Sequence, residues 1–276
     1  MAIGGIKGTG VTPSKSYGKW NIEDNFKARN LPKDGSTYEQ AAKSAQAILA
    51  LNPSATDGVY WINLPTVGPK QIYCLMNASF YGGGWMMALK ATRGATFTYS
   101  ASYWTNANTL NPSDTTRNDA DAKFDTFNYY QGQDVMAIWP DIGDGGSLSG
   151  LGNWTWIEPG YPINIGLSKS TLLGLFTYGN RIFIKDAKRF RGWASGVFSS
   201  QVDIRFYGFN WTDNLNCRWG FGWNENGGGL YPGGAEGSDD VNGGIGTNYH
   251  SAGDQINCCQ DTTGMNRSAR VEMWVR

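Results

Sequence analysis

Residues 218–250, RWGFGWNENGGGLYPGGAEGSDDVNGGIGTNYH, decide how the rest of the chain is read. The run carries Glu225, Glu236, Asp239 and Asp240, with Asn224, Asn226 and Asn242 as neutral oxygen donors, on a backbone dense in glycine. Glycine reaches positive φ without a Cβ penalty, so such a chain can turn back on itself repeatedly. Calcium takes about six to eight oxygens from carboxylates, amides and carbonyls, and this composition suits a loop-built oxygen cage. It equally suits a long solvated series of turns, which favours Gly, Asn and Asp for its own reasons.

Working outward, the 276 residues suffice for one large domain or two modest ones, and a hydrophobic share of 40% supplies a core. Lys plus Arg and Asp plus Glu both number 23, with no basic cluster, which argues against nucleic acid or an anionic membrane as the main partner. Aromatics at 14% together with 38 glycines predict many short strands joined by loops. The opening MAIGGIKGTGVTPSKSYGKW lacks the basic and apolar halves of a signal peptide, and no apolar run is long enough for a membrane span. The expectation is a chain made in the cytoplasm. Cys74, Cys217, Cys258 and Cys259 do not have zinc-site spacing and are expected to be free, mostly buried thiols, with later pairing left open.

Residues 1–35 read as an arm with isolated apolar anchors and no sustained period, expected either to dock on neighbouring chains of an assembly or to wrap its own domain. Ser36 and Glu39 have capping-box spacing, and Tyr38, Ala41, Ala45, Ile48 and Leu49 share a helical face that Asn52 and Pro53 end. GVYWINLP and KQIYCLM then alternate as strands, with Val59, Trp61, Ile72 and Cys74 on the patterned positions and TVGPK as the hairpin loop between them. FYGGGWMMALK predicts a sharp bend leading into a strand at Trp85. The middle stretch holds Asp114, Asp119, Asp121 and Asp125 without EF-hand spacing and reads as a solvated loop, a second cation site being the alternative. DVMAIWP reads as a buried strand. Further strands are predicted at WTWIEP, LLGLFTY, RIFIKD, VDIRFYGF and SARVEMWVR, the last alternating through Val271, Met273 and Val275.

The order SAQAIL, DGVYWI, IYCLM, GGGW, TFNYYQGQDVMAIW, GGGLYPGGAEG and a terminal strand resembles the fibrinogen C-terminal-like domain, and within it the intelectin-like branch, over residues 36–276. The resemblance implies an α+β fold with a mixed twisted sheet, one short N-terminal helix and long Gly-rich loops. It implies no catalysis, and recognition of carbohydrate through a bound Ca2+. By position it assigns metal ligation to Asn224, Glu225, Glu236, Asp239 and Asp240. The chain departs from the pattern where a shortened segment precedes the glycine run and where Val241 or Asn242 stands for a cage tryptophan. Ala45 also replaces a helix cysteine, which suits a reducing cytosol.

A lectin-like domain behind a docking arm and without an export signal resembles the display proteins of bacteriophages, which lysis releases. The expected biology is a virion surface protein, a tail fibre or tip adhesin. Residues 1–35 would contact other virion proteins, host cell-surface polysaccharide would be the ligand, and the assembly would be a homo-oligomer. The competing reading is a structural capsid decoration, head fibre or tail adaptor without a soluble ligand. Trp223, Tyr231, Tyr249 and His250 are the candidate ligand contacts, the aromatics also suiting a core and His250 a loop hydrogen bond. The single histidine leaves poor material for a catalytic triad.

Overall fold

The computed structural model describes residues 31–140, 154–158, 171–183, 204–212, 215–223, 241–256, 266 and 268–276. Two compact units divide between Gly84 and Trp85. Residues 1–30 of the expected arm lie outside the described residues, and Gly35 is bonded into the first unit, its carbonyl accepting from the Trp61 N–H at 2.8 Å.

Among the described residues of the first unit the helix is α1 (Ala45–Leu51), which starts later than the capping-box spacing predicts. Ser44 is the cap, its hydroxyl accepting from the Ala47 N–H at 3.1 Å. Ser36 instead donates its N–H and hydroxyl to the Asp34 carboxylate at 3.0 and 2.7 Å, and the Gln40 N–H donates to the Thr37 hydroxyl at 3.2 Å. Local side-chain acceptors thus hold residues 36–41 in turns. The end at Asn52 is where the sequence places it.

Strands β1 (Gly58–Leu64) and β2 (Gly68–Leu75) form an antiparallel hairpin closing at Leu64 and Gly68. The inward face of β1 is the opposite of the one expected, because Ile62 and Leu64 are buried and Val59 is 41% exposed. In β2, Ile72 and Cys74 are buried as predicted. The glycine run bends as its sequence suggests, with φ of 90°, 72° and 79° at Gly82, Gly83 and Gly84. A Cβ on Gly83 would stand 2.2 Å from the Met76 carbonyl oxygen, so no other residue fits.

The second unit continues through β3 (Trp85–Ala91), β4 (Ala122–Lys123), β5 (Val135–Trp139), β6 (Trp154–Glu158), β7 (Ile182–Phe183), β8 (Ile204–Trp211), β9 (Cys217–Trp223), β10 (Val241–Thr247), β11 (Ala252–Ile256) and β12 (Val271–Val275). β12 lies between β3 and β5, β6 follows β5, and β4 pairs with β3. A second sheet runs β11, β10, β9, β8, β7. Within each unit every described strand pair is antiparallel, and a parallel contact occurs as an isolated bridge from Ala42 to Ile62. β12 does not alternate inside and outside as predicted. All five of its residues are buried, so this central strand is covered on both faces and, Glu272 apart, reads as a continuous apolar run rather than an alternation.

The expectation of a single helix is also corrected. LLGLFTY is not a strand but α3 (Leu172–Tyr178), and α2 (Asp125–Tyr129) precedes it. Thr171 caps α3 by accepting from the Gly174 N–H, and Gly179 ends it in the left-handed conformation. Leu172, Leu175 and Phe176 form its buried face. Phe176 joins Trp104, Phe127 and Phe209 in an aromatic core with ring centroids 4.8 to 6.1 Å apart. Asn210 has no exposure, and its amide donates to the Leu175 and Asn180 carbonyls, so the N-glycosylation triplet of Asn210, Trp211 and Thr212 is closed to a glycan. The protein is therefore an α+β structure dominated by antiparallel strands, and among the described residues no helix is long and apolar enough to cross a membrane.

Candidate functional site

The run that opened the sequence reading is only partly a loop. Residues 217–223 and 241–247 are strands β9 and β10, paired from Cys217 and Thr247 to Trp223 and Val241. Their glycines fall in register with glycines on both neighbouring strands, so that Gly208, Gly220, Gly244 and Gly253 form a row across β8, β9, β10 and β11. A Cβ on Gly220 would stand 2.0 Å from the Gly243 carbonyl oxygen, and one on Gly244 would stand 2.2 Å from that of Trp219. Two backbones pass where side chains would otherwise hold them apart, which is why a strand here looks like a loop in the sequence.

This hairpin fixes where residues 224–240 leave the sheet and return to it, at the paired Trp223 and Val241. Asn224, Glu225, Tyr231, Glu236, Asp239 and Asp240 lie outside the described residues. Five expected oxygen donors are therefore carried on one connection whose two ends are held side by side.

Tyr249 and His250 belong to a different place. They form the turn between β10 and β11, beyond Thr247 and thus at the other end of β10 from Val241. Along strands of this length the two ends are about 20 Å apart at roughly 3.4 Å per residue. The structure does not bring Tyr249 and His250 together with Trp223. The Thr247 N–H and hydroxyl donate to the His250 carbonyl at 3.0 and 3.1 Å, and the His250 N–H donates back to that hydroxyl at 3.0 Å. The His250 Nε2 lies 3.1 Å from the Asn266 carbonyl, which can only accept, so the ring donates from Nε2. Tyr249 is 55% exposed, edge-on to the His250 ring. Beneath the turn, Gln255 accepts from the Asn248 N–H and donates to the Asn216 carbonyl, while the Asn216 amide donates to the Asn248 side chain. His250 is thus a turn-fixing residue, as one of its two readings held.

The acids of the middle stretch are not simply solvated. Asp114 bonds Lys90, whose ammonium is 1% exposed, at 2.9 Å. Asp121 accepts from the Thr92 N–H and the Thr96 hydroxyl, and Asp119 pairs with Arg93 at 2.8 Å. Burial pushes the Asp114 carboxyl up, but hydrogen bonds from Lys90, Asn118 and Thr116 and the charge of Lys90 outweigh it and hold it at about 2. Lys90 pairs in register with Glu272 on β12, a fully buried carboxylate that takes Arg117 at 2.7 Å and Arg270 at 3.3 Å. A buried cation and a buried anion, side by side on two strands, thus clasp the irregular stretch. Sequence reasoning passed over both, although Lys90 and Glu272 interrupt the apolar runs WMMALKA and VEMWV.

Among the described residues no three His, Cys, Asp or Glu side chains converge as a metal centre. Cys74 and Cys217 are free and buried, and burial raises both thiols, with Asp57 adding to the effect at Cys74. Cys258 and Cys259 lie outside the described residues. Neither a protein-family model nor a curated protein matches the chain, so its function is argued from these residues.

Proposed function

We propose that this is a non-enzymatic surface protein of a bacteriophage virion, a tail fibre or tip adhesin of fibrinogen C-terminal-like, intelectin-like type, which holds host glycan through a calcium-supported site in residues 224–240. The observation that carries the reading is the paired base at Trp223 and Val241. A connection closed at its base by a hydrogen-bonded hairpin has already met its loop-closure cost, and donors spread along it need less ordering to gather round one ion. Asn224, Glu225, Glu236, Asp239 and Asp240 offer the hard oxygens that calcium prefers. Two adjacent sugar hydroxyls would replace two waters on that ion. Trp223 and Tyr231 adjoin or lie within the connection and offer rings for the apolar face of a sugar, whereas Tyr249 stands at the far end of the sheet. Residues 1–35 would hold the protein to its virion partners in a homo-oligomer.

The test is calcium calorimetry on the full chain, with host polysaccharide binding measured before and after chelation. Glu236→Ala is expected to weaken calcium binding about tenfold or more, the loss of one charged ligand. Polysaccharide binding should fall with both chelator and substitution, and retention of full binding under both would overturn the reading.

A further inference from the structure

Lys90 is the buried cation of β3, its side chain 1% exposed. Its ammonium donates to the Thr116 carbonyl at 2.9 Å, to the Asp114 carboxylate at 2.9 Å and to the side-chain oxygen of Asn118. The nitrogen of the same carboxamide, Asn118 Nδ2, donates to the two Asp114 oxygens at 3.3 and 3.1 Å. The three groups therefore touch pairwise. An amine lies against the carbonyl of a carboxamide, and one carboxylate bonds both that amine and the nitrogen that an attack on the carboxamide would expel.

Acyl transfer from an amide to an amine needs this arrangement. An uncharged lysine amine is a nucleophile towards carbonyl carbon, and a carboxylate in contact with it can take its proton. The Asn118 Cγ stands one carbonyl bond, about 1.2 Å, beyond the oxygen that Lys90 touches, within the roughly 3–3.5 Å of a near-attack arrangement. The surroundings tolerate loss of the Lys90 charge. Glu272, in register with Lys90, keeps Arg117 at 2.7 Å and Arg270 at 3.3 Å. Asp114, 27% exposed, keeps the Thr116 hydroxyl at 2.9 Å. A neutral amide costs less to bury than an ammonium, so acylation relieves the strand. Asn118 is exposed, which leaves the expelled nitrogen a way out.

We propose that Lys90 and Asn118 are a modification site, where the chain forms an intramolecular isopeptide bond between the two side chains with Asp114 as the proton carrier. Lys90 Nζ gives a proton to Asp114 and attacks Asn118 Cγ, and the Nζ–Cγ bond forms. Asp114 passes that proton to Nδ2, the Cγ–Nδ2 bond breaks, and the nitrogen leaves as ammonia. The second proton that Nζ sheds goes with it, so ammonium is the product and Asp114 ends as a carboxylate. No oxidant or second substrate is consumed. Because the Asp114 carboxyl is held at about 2, the first proton transfer is uphill, and the bond forms slowly, once in each chain. It ties the irregular stretch to β3 across 28 residues of sequence and involves none of residues 224–240, so it stands or falls apart from the calcium reading.

The full chain is held at neutral pH until its intact mass stops changing, then digested and read by tandem mass spectrometry. The settled mass is expected to lie one ammonia below that of the sequence, with one branched peptide joining Lys90 to Asn118. Branching at Lys90 separates this bond from ring closure at Asn226 or Asn242, each followed by glycine, which also releases ammonia. Asn118→Ala, at an exposed position, should abolish the branched peptide. Asp114→Ala should slow its accumulation about a hundredfold or more, the ordinary share of a positioned proton carrier. Circular dichroism checks that both variants fold. The proposal is overturned if the settled wild-type mass equals that of the sequence, if the missing ammonia maps away from Lys90, or if folded Asp114→Ala forms the branched peptide as fast as the wild type.

Discussion

β3, β12 and β5 hold together through what they bury, with every residue of the three strands inaccessible, including Trp85, Trp139 and Trp274. β8, β9, β10 and β11 share the antiparallel ladder but cross it with a row of glycines, where cohesion comes from backbones too close to admit a side chain. The first arrangement gains stability from apolar area and from partners for its buried charges. The second gains little from side chains along the row and gains a fixed local geometry instead. Both the connection 224–240 and the turn at Tyr249 and His250 are borne by the glycine-crossed sheet.

The largest effect should come from filling the row. Gly244→Ala places a Cβ 2.2 Å from the Trp219 carbonyl oxygen, at a backbone φ of 143° that other residues rarely adopt. A loss on the order of 4 kcal/mol, or no folded protein, is expected in thermal unfolding. Gly94→Ala is the contrast, since only the Thr92 methyl lies near, at 4.0 Å, and it should leave the melting temperature almost unchanged. Equal tolerance at both positions would remove the close-approach account.

Next in size is the charge clasp of the other sheet. Glu272→Gln leaves Arg117 and Arg270 facing a neutral amide in a site with no exposure at position 272. Denaturant unfolding should show a loss of about 3 kcal/mol. A change within about 0.5 kcal/mol, ordinary for a surface substitution, would place the carboxylate in water rather than in the strand.

The smallest effect is a pH slope. Lys123 on β4 has no exposure, donates to the Tyr103 and Asn106 carbonyls at 2.6 Å each, and lies 4.6 Å from the Phe127 ring centre. Burial pulls its ammonium down from 10.5 to about 8, with Asp125 opposing. Between those two values the unfolded chain holds the proton that the folded chain has lost, so stability rises with pH across that window and is flat on either side. Unfolding measured at pH 7.5 and pH 10.5 should show this rise beyond that of Lys123→Met, and parallel profiles for the two proteins would refute it.

Much of the first sheet was legible. Hydrophobic runs such as DVMAIWP announced buried strands, GGGW announced the bend before Trp85, and Cys74 and Cys217 were rightly expected to be buried. The helix α3 was misread because seven apolar-rich residues suit either a short helix or a buried strand, although Thr171 before it and Gly179 after it were cap signals in plain view. α1 was placed too early because Ser36 and Glu39 matched a cap by spacing alone, while Asp34 took the donors of Ser36. Of the candidate site, composition gave oxygen donors and rings but not their separation, and the strand register is what parts Trp223 from Tyr249 and His250.

By itself, the sequence determined where apolar runs must be buried and where the chain must bend, because side-chain hydrophobicity and glycine's backbone freedom are local properties. Tertiary structure alone decided that VNGGIGT and CRWGFGW are strands, since a glycine has almost no preference of its own and takes its conformation from the backbone beside it. It alone decided as well which charges find partners. A guanidinium's neighbours come from distant parts of the chain, and only the folded sheet gives Arg117 and Arg270 the carboxylate of Glu272 while setting Arg218 on the Tyr99 carbonyl and Arg181 on Thr212.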